Sequence, residues 1–203
     1  WHRSRQDRAN LLEARMERLR ILQIHFTRDS QKAALEAAWT HLIQEFGDVS
    51  WSASATWELA KLIRNAGRPL EAFTIAKQGR ERFPESRGGI NCKSLMDQIE
   101  APRYSIANML TDRPDTRSIR ITHANLKQLH FRAWPLDLTR LAETNWERNS
   151  GVLDLDRNTR NNMIHTQPAA HQWRIDLENP GDFADHWTDV IPPMKKPGLY
   201  LVA

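Results

Sequence analysis

The chain has 203 residues, enough for one large or two small domains with a real core, and its apolar and charged fractions, 40% and 27%, match a globular chain. No apolar run approaches the roughly 18 residues that would span a bilayer. A net charge of +4 marks no nucleic-acid partner by itself, and a single cysteine, Cys92, excludes an internal disulfide and a multi-cysteine zinc site.

The first residues, WHRSRQDRANLLEARMERLR, are charged throughout and lack the apolar centre of a secretory signal. The chain opens without Met and closes at GLYLVA in what reads as mid-strand, so the expectation is a piece of a longer protein. It is either cytosolic or carries its signal outside this sequence. The eight tryptophans are read mainly as core, because large aromatics supply buried area efficiently.

Residues 5–26 carry the first helical pattern, with Leu12, Met16, Leu19, Leu22 and Phe26 on one side. Arg8, Arg15, Arg18, Glu13 and Glu17 lie opposite, a mixed-sign face of the kind that faces water. Asp29 or Ser30 is expected to cap a second helix. Leu35, Ala38, Trp39, Leu42, Ile43 and Phe46 then form an amphipathic stripe, and Gly47 suits a left-handed residue at its end. In residues 52–86, Leu59, Leu62, Ile63 and Ala66 define a helix stopped at Gly67. Pro69 opens another, with Ala72, Phe73, Ala76, Gly79 and Phe83 on its inner side. Leu59, Ala60, Ile63, Ala72, Ala76, Gly79 and Pro84 resemble one tetratricopeptide repeat of about 34 residues, although stepping back one period gives only a rough match. Gly88 and Gly89 are read as releasing the chain into a third piece, where Cys92, Leu95, Met96 and Ile99 share a face. Cys92 is therefore expected to be a buried small hydrophobe and not a reactive thiol.

Pro102 marks a change of rhythm, since it neither continues a helix nor donates a backbone hydrogen bond. From Tyr104 the period becomes two: Ile119 with Ile121, Leu129 with Phe131 and Ala133, Trp173 with Ile175 and Leu177. Val190–Ile191 and Leu199–Val202 read as further strands; Pro114, Asn125, Pro180–Gly181 and Pro197–Gly198 read as turns. The segment Asp137–His165 is polar and weakly patterned, and is expected to be a long loop or a short helix.

Candidate chemistry is sparse. Asp154-Leu-Asp156-Arg-Asn158 opens like a calcium loop, but Thr159 and His165 stand where such a loop needs Gly and a bidentate Glu. His123, His130, His165, His171 and His186 show no metal-site spacing, and His130, facing away from Leu129 and Phe131, is expected to be exposed. Phosphate-loop and nucleophile-elbow motifs are both missing. A basic first helix (Arg3, Arg5, Arg8, Arg15, Arg18, Arg20) is interrupted by acids and lacks the aromatic interleaving of a nucleic-acid surface.

Residues Arg82-Phe-Pro-Glu-Ser86, Asn91-Cys92 with Leu95 and Ile99, and Pro102 are similar to the N-terminal region of bacterial alpha-2-macroglobulin family proteins. The similarity continues through the aromatic strand Leu126–Leu138, Trp173–Leu177, Gly181-Asp182-Phe183, Ile191-Pro192 and Gly198–Leu201, and spans roughly residues 55–203. The resemblance implies a helical repeat region followed by a first macroglobulin-like domain, within a large envelope-associated or secreted protein that traps proteases. It also implies a bait segment and, in many members, a Cys–Gln thioester. No Cys-x-Glu-Gln occurs here, Cys92 being followed by Lys93-Ser94-Leu95, no bait segment can be assigned, and no single residue is carried over as a site.

The expected fold is therefore α+β in separate modules: α-helical, tetratricopeptide-like hairpins over residues 1–101, then an antiparallel, macroglobulin-like β-sandwich over residues 102–203 that need not be complete. The expected function is a non-catalytic N-terminal scaffold of a macroglobulin-type protease inhibitor. It would have no catalytic, cofactor-binding or metal residue and no cofactor, and it would be located in the periplasm, cell envelope or medium. Its partners would be proteases, through the full-length protein, or other envelope proteins, with no nucleic acid and no membrane-spanning segment. The alternative is a tetratricopeptide-type adaptor that binds a peptide or protein, with an accessory sandwich. A third is a carbohydrate-binding sandwich using Trp134, Trp146 or Trp187.

Overall fold

The computed structural model describes residues 5–26, 28–108, 119–147 and 155–203, with helices in the N-terminal half and all of the strands in the C-terminal half. The chain divides into two compact units. One is Trp1–Pro102 with Pro180–Ala184; the other is Arg103–Asn179 with Asp185–Ala203.

In the first unit, α1 (Arg5–His25), α2 (Asp29–Glu45), α3 (Ser52–Asn65), α4 (Pro69–Arg82) and α5 (Arg87–Glu100) are joined by short turns. Their helical recurrence of apolar residues is what builds the core. Leu12, Met16, Leu35, Trp39, Leu42, Phe46, Leu59, Ile63, Leu95 and Ile99 are all buried in one cluster. Each Leu or Phe in it contributes roughly 1.5–3 kcal/mol through the apolar surface removed from water. Leu19, Leu22, Phe26 and Ile43 pack on that cluster while keeping some exposure.

Helix α3 contacts α2, α4 and α5. Its first residues, Ser52 to Thr56, are small and buried on every side, so neighbouring helices come close to its backbone. A Cβ on Gly88 would lie 2.2 Å from the Ser54 nitrogen and 2.3 Å from the Ala53 carbonyl carbon. Gly88 and Gly89, expected to release the chain, instead sit in the first turn of α5. The reason is steric: no side chain fits at Gly88 against the α3 backbone, or at Gly89, where a Cβ would lie 2.0 Å from the Phe83 carbonyl oxygen. Ser86 caps the helix, its Oγ accepting from the Gly89 N–H at 3.0 Å.

Two other helix-end expectations are corrected. Asp29 and Ser30 lie inside α2, and its N-cap is Arg28, whose N–H donates to Oε1 of Gln31 at 3.1 Å. The reach-back by Gln31 supplies half of a capping box, so no cap side chain is needed at this end. Gly47 is not left-handed; positive φ occurs at Gly67 (80°) and Gly181 (78°), and at Asn125 and Phe183. Gly47 is instead covered by the Arg82 guanidinium, whose Nη1 would stand 2.9 Å from an added Cβ. Gly67 does end α3 as expected, and Pro69 opens α4.

Pro180–Ala184 belongs to the helical unit, although the sequence places it with the strands. Phe183 explains this: its ring lies 5.0 Å from that of Phe73 on α4. The aromatic contact holds a bulky residue at φ 60°, a conformation that costs about 1 kcal/mol or more.

In the second unit, β1 (Arg103–Asn108), β2 (Ile119–Ala124) and β5 (His186–Val190) form an antiparallel sheet in the order β1-β2-β5. β3 (Gln128–Leu136), β4 (His171–Asp176) and β6 (Leu199–Val202) form a second, in the order β4-β3-β6. Alternation sends Ile119 and Ile121 inward and Arg120 outward, where Arg120 pairs with Asp189 at 2.7 Å. Ile119, Ile121 and Val190 from the first sheet join Phe131, Leu129, Trp173, Ile175 and Val202 from the second in a single apolar cluster. Phe131 and Trp173 are cross-strand partners with stacked rings 5.1 Å apart.

β3 is shorter than the expected 126–138, because Leu138 begins a helix, α6 (Leu138–Glu147). Pro135 is tolerated within β3 because β4 pairs only as far as Ala133. The polar segment expected as a loop or short helix holds two helices, α6 and α7 (Arg157–Thr166), and none of the residues of α7 is buried. Val190 closes β5, whereas the sequence places it at a strand's beginning. Pro114 lies outside the described residues.

Candidate functional site

The helical unit contains a cavity of about 280 Å³ with walls from α2, α3 and α4. The same small residues that let α5 approach α3 also open this side: Gly79 leaves the floor without a side chain, beside Ala53, Thr56 and Leu59. Ile43 and Ile75 make opposite walls, and Phe83 and Arg82 close one end. Thr40, Gln44 and Gln78 add neutral hydrogen-bonding groups. The lining is apolar with amides at the margin and one cation. It contains no acid–base pair and no thiol placed for nucleophilic attack.

Cys92 lies behind this floor, with Sγ 2.8 Å from where a Gly79 Cβ would stand. Its thiol is wholly buried, 3.7 Å from the Ala53 carbonyl oxygen, and burial pushes its pKa up to about 12. A thiol so far from ionisation is inert as a nucleophile at neutral pH.

Beneath the other flank of α3 is a group that the sequence reading missed. Glu58 is 5% exposed, and its carboxylate accepts from Arg20 Nε at 2.9 Å and Lys61 Nζ at 2.7 Å. Arg20 also pairs with Glu17, and hydrogen bonds and field from Glu58 outweigh desolvation to raise the Arg20 pKa. Lys61 additionally lies 3.6 Å from the Trp57 ring centroid. This cluster joins α1 to α3 and is structural. Its only signal in the sequence is a Glu three residues before a Lys within an otherwise apolar helix.

Two further arginines of the first helix are similarly engaged. Arg8 bonds Asp48 at 2.9 Å, Arg15 bonds Glu45 at 2.6 Å, and both guanidiniums stand 5.4 Å from the Phe46 ring centroid. Arg3 lies outside the described residues.

The remaining candidates are dispersed. Asp156 is the N-cap of α7, its Oδ1 accepting from the N–H groups of Asn158 and Thr159 at 3.0 Å each. That capping role accounts for the calcium-like spacing; Asp154 lies outside the described residues. His130 is exposed and lies 2.8 Å from Gln128 Oε1. His171 lies edge-on to Tyr200, and His165 is exposed in the last turn of α7. His123 and His186 alone are brought together, with ring centroids 6.2 Å apart. Among the described residues, no three His, Cys, Asp or Glu side chains form a group able to hold a metal ion. Trp134, one of three candidates for a saccharide platform, is 2% exposed and donates from Nε1 to the Gln167 carbonyl at 3.0 Å. Trp187 is 69% exposed on β5, and the Trp146 side chain lies outside the described residues. Among the described residues no helix is long and apolar enough to cross a membrane.

Comparison of this chain with models of protein families, with curated proteins and with solved structures finds no match.

Proposed function

We propose that this chain is a non-catalytic N-terminal scaffold of a macroglobulin-type protease trap, working in the periplasm, cell envelope or medium. In this reading its helices form a tetratricopeptide-like segment and its two sheets a macroglobulin-like sandwich. The supporting observation is the order of parts. Five helices end at Glu100, Pro102 follows, and two antiparallel sheets then share one apolar cluster around the aromatic strand β3. The residues that carry the resemblance fall at structural joints: Ser86 caps α5, Cys92 and Leu95 lie in its core, Phe183 packs on Phe73, and Leu199–Val202 pairs with β3. The test uses the product of the full-length reading frame mixed with proteases of several specificities. A trap encloses its protease, so cleavage of a protein substrate is expected to fall while cleavage of a small chromogenic peptide persists. Equal effects on both substrates, or no effect on either, would refute the reading.

A second reading, an adaptor that binds a peptide, is favoured by the groove between α2, α3 and α4. It expects peptides selected from a display library to lose binding when Ile75→Glu is introduced into the chain. Retained binding removes this reading and leaves the first unaffected.

A further inference from the structure

Of the described histidines only His123 is wholly buried, at 1% exposure. It faces inward from the β1-β2-β5 sheet and is the register partner of Tyr104 on β1 and of His186 on β5, so the three form one cross-strand row. Its Nε2 lies 3.3 Å from Thr188 Oγ1, and Nδ1 has no hydrogen-bond partner among the described residues. The charges around it offer a proton little support. On β1, Arg103 belongs to the opposite face and bonds Asp185 at 2.9 Å. On β5, Asp189 alternates with His186 and Thr188 and so faces outward, bonding Arg120, and Asp185 just before the strand bonds Arg103. Beyond β4, Glu178 is the one acid whose field favours a charge on His123, and it forms no ion pair with it among the described residues.

We propose that this row makes the β unit an acid-sensitive switch, in which protonation of His123 opens the β1-β2-β5 sheet. A neutral imidazole fits the site, whereas an imidazolium there would be desolvated with one N–H unbonded. Desolvation first, then the field of His186, hold the proton affinity of His123 below that of a free imidazole. The sign follows from linkage. The opened chain, titrating near pH 6.5, binds the proton more tightly than the closed sheet. Stability is therefore full above about pH 6.5 and declines as the pH falls from there towards the depressed value of the folded state. Within that window the opening equilibrium rises by up to about tenfold per pH unit for one histidine.

The test is hydrogen exchange of the β2 amides in the whole chain at pH 7.5 and 5.5, after correction for the intrinsic pH dependence of exchange. Protection is expected to drop by up to about tenfold in the native chain. It is expected to hold nearly constant in His123→Gln, which keeps a polar contact to Thr188 but takes up no proton. Equal pH dependence in the two proteins overturns the proposal. Should His123→Gln not fold, an NMR titration of the His123 ring in the native chain decides instead. A midpoint at or above that of the free imidazole overturns the switch, and a depressed midpoint accompanied by sheet opening supports it.

Discussion

The crossing of α5 over α3 can be probed by three glycine-to-alanine substitutions, because the same added methyl meets three kinds of neighbour. At Gly88 it meets backbone, with the Ser54 nitrogen at 2.2 Å and the Ala53 carbonyl carbon at 2.3 Å. Main-chain atoms cannot swing aside, so the two helices must separate by about 1 Å to reach ordinary contact distance. That movement also loosens the small-residue packing around Ala53, Ala55 and Ala60, all 1% exposed or less. Overpacking of this kind costs about 3 kcal/mol or more, well above the gain of about 1 kcal/mol from replacing Gly by Ala in a helix. At Gly79 the methyl meets side chains, Cys92 Sγ at 2.8 Å and Thr56 Cγ2 at 2.9 Å. Small rotations share the strain there, and the net cost is about 1 kcal/mol. At Gly47 it meets only the far end of Arg82, which can move into water, and the expected change lies within about 0.5 kcal/mol. Urea denaturation followed by far-ultraviolet circular dichroism gives the three midpoints. The order Gly47→Ala, Gly79→Ala, Gly88→Ala in rising cost is expected, and a Gly88→Ala chain as stable as the native one would refute the close crossing.

Three other outcomes follow from buried groups in the same unit. Leu95→Asp places an unpaired carboxylate at a position 3% exposed and is expected to cost about 4 kcal/mol or more, enough to unfold the helical half; unchanged dichroism and melting would contradict it. Glu58→Gln removes the acid shared by Arg20 and Lys61. Both cations are about one-third exposed and can rehydrate, so the expected loss is about 1–3 kcal/mol, below that for a fully buried pair, and a midpoint within error of the native chain would sink the assignment. Cys92, with its thiol pushed up to about 12, should resist a thiol reagent at pH 8 in the folded chain and react at once in guanidinium; stoichiometric labelling within minutes under native conditions would show that the site is open.

Much of the element order is readable from spacing because each element buries one face. The recurrence from Leu35 to Phe46 sets the inner side of α2, and the alternation of Ile119, Ile121, Phe131 and Trp173 sets the inward faces of the strands. The misreadings arise where a residue's role depends on a neighbour distant in sequence. Gly88 and Gly89 look like breakers, but Gly88 is required by α3, more than thirty residues earlier, and Gly89 by the carbonyl oxygen of Phe83. Gly47 looks like a helix terminator but is a seat for Arg82. Asp29 is the textual candidate for a cap, yet Gln31 does that work from within the helix. Glu58 and His123 are not distinguishable by pattern from an exposed Glu and an exposed strand His. Their burial depends on Arg20 in one case and on the row with Tyr104 and His186 in the other. Trp134 reads as an available platform until Gln167 supplies the carbonyl that satisfies its indole. The groove has no signature at all, because it is made by the absence of a side chain at Gly79 between walls from two other helices.

The membership of Pro180–Ala184 in the helical unit bears on how the protein is made and cut. As the chain emerges during synthesis, the fifth helix is complete long before Phe183 exists, so Phe73 waits uncovered until most of the strands have been translated. A truncation ending at Pro102 reproduces that immature state and not the finished unit. Fragment boundaries for expression therefore belong outside Ala184, and a nick in the chain near Gly181 would be felt on the surface of α4.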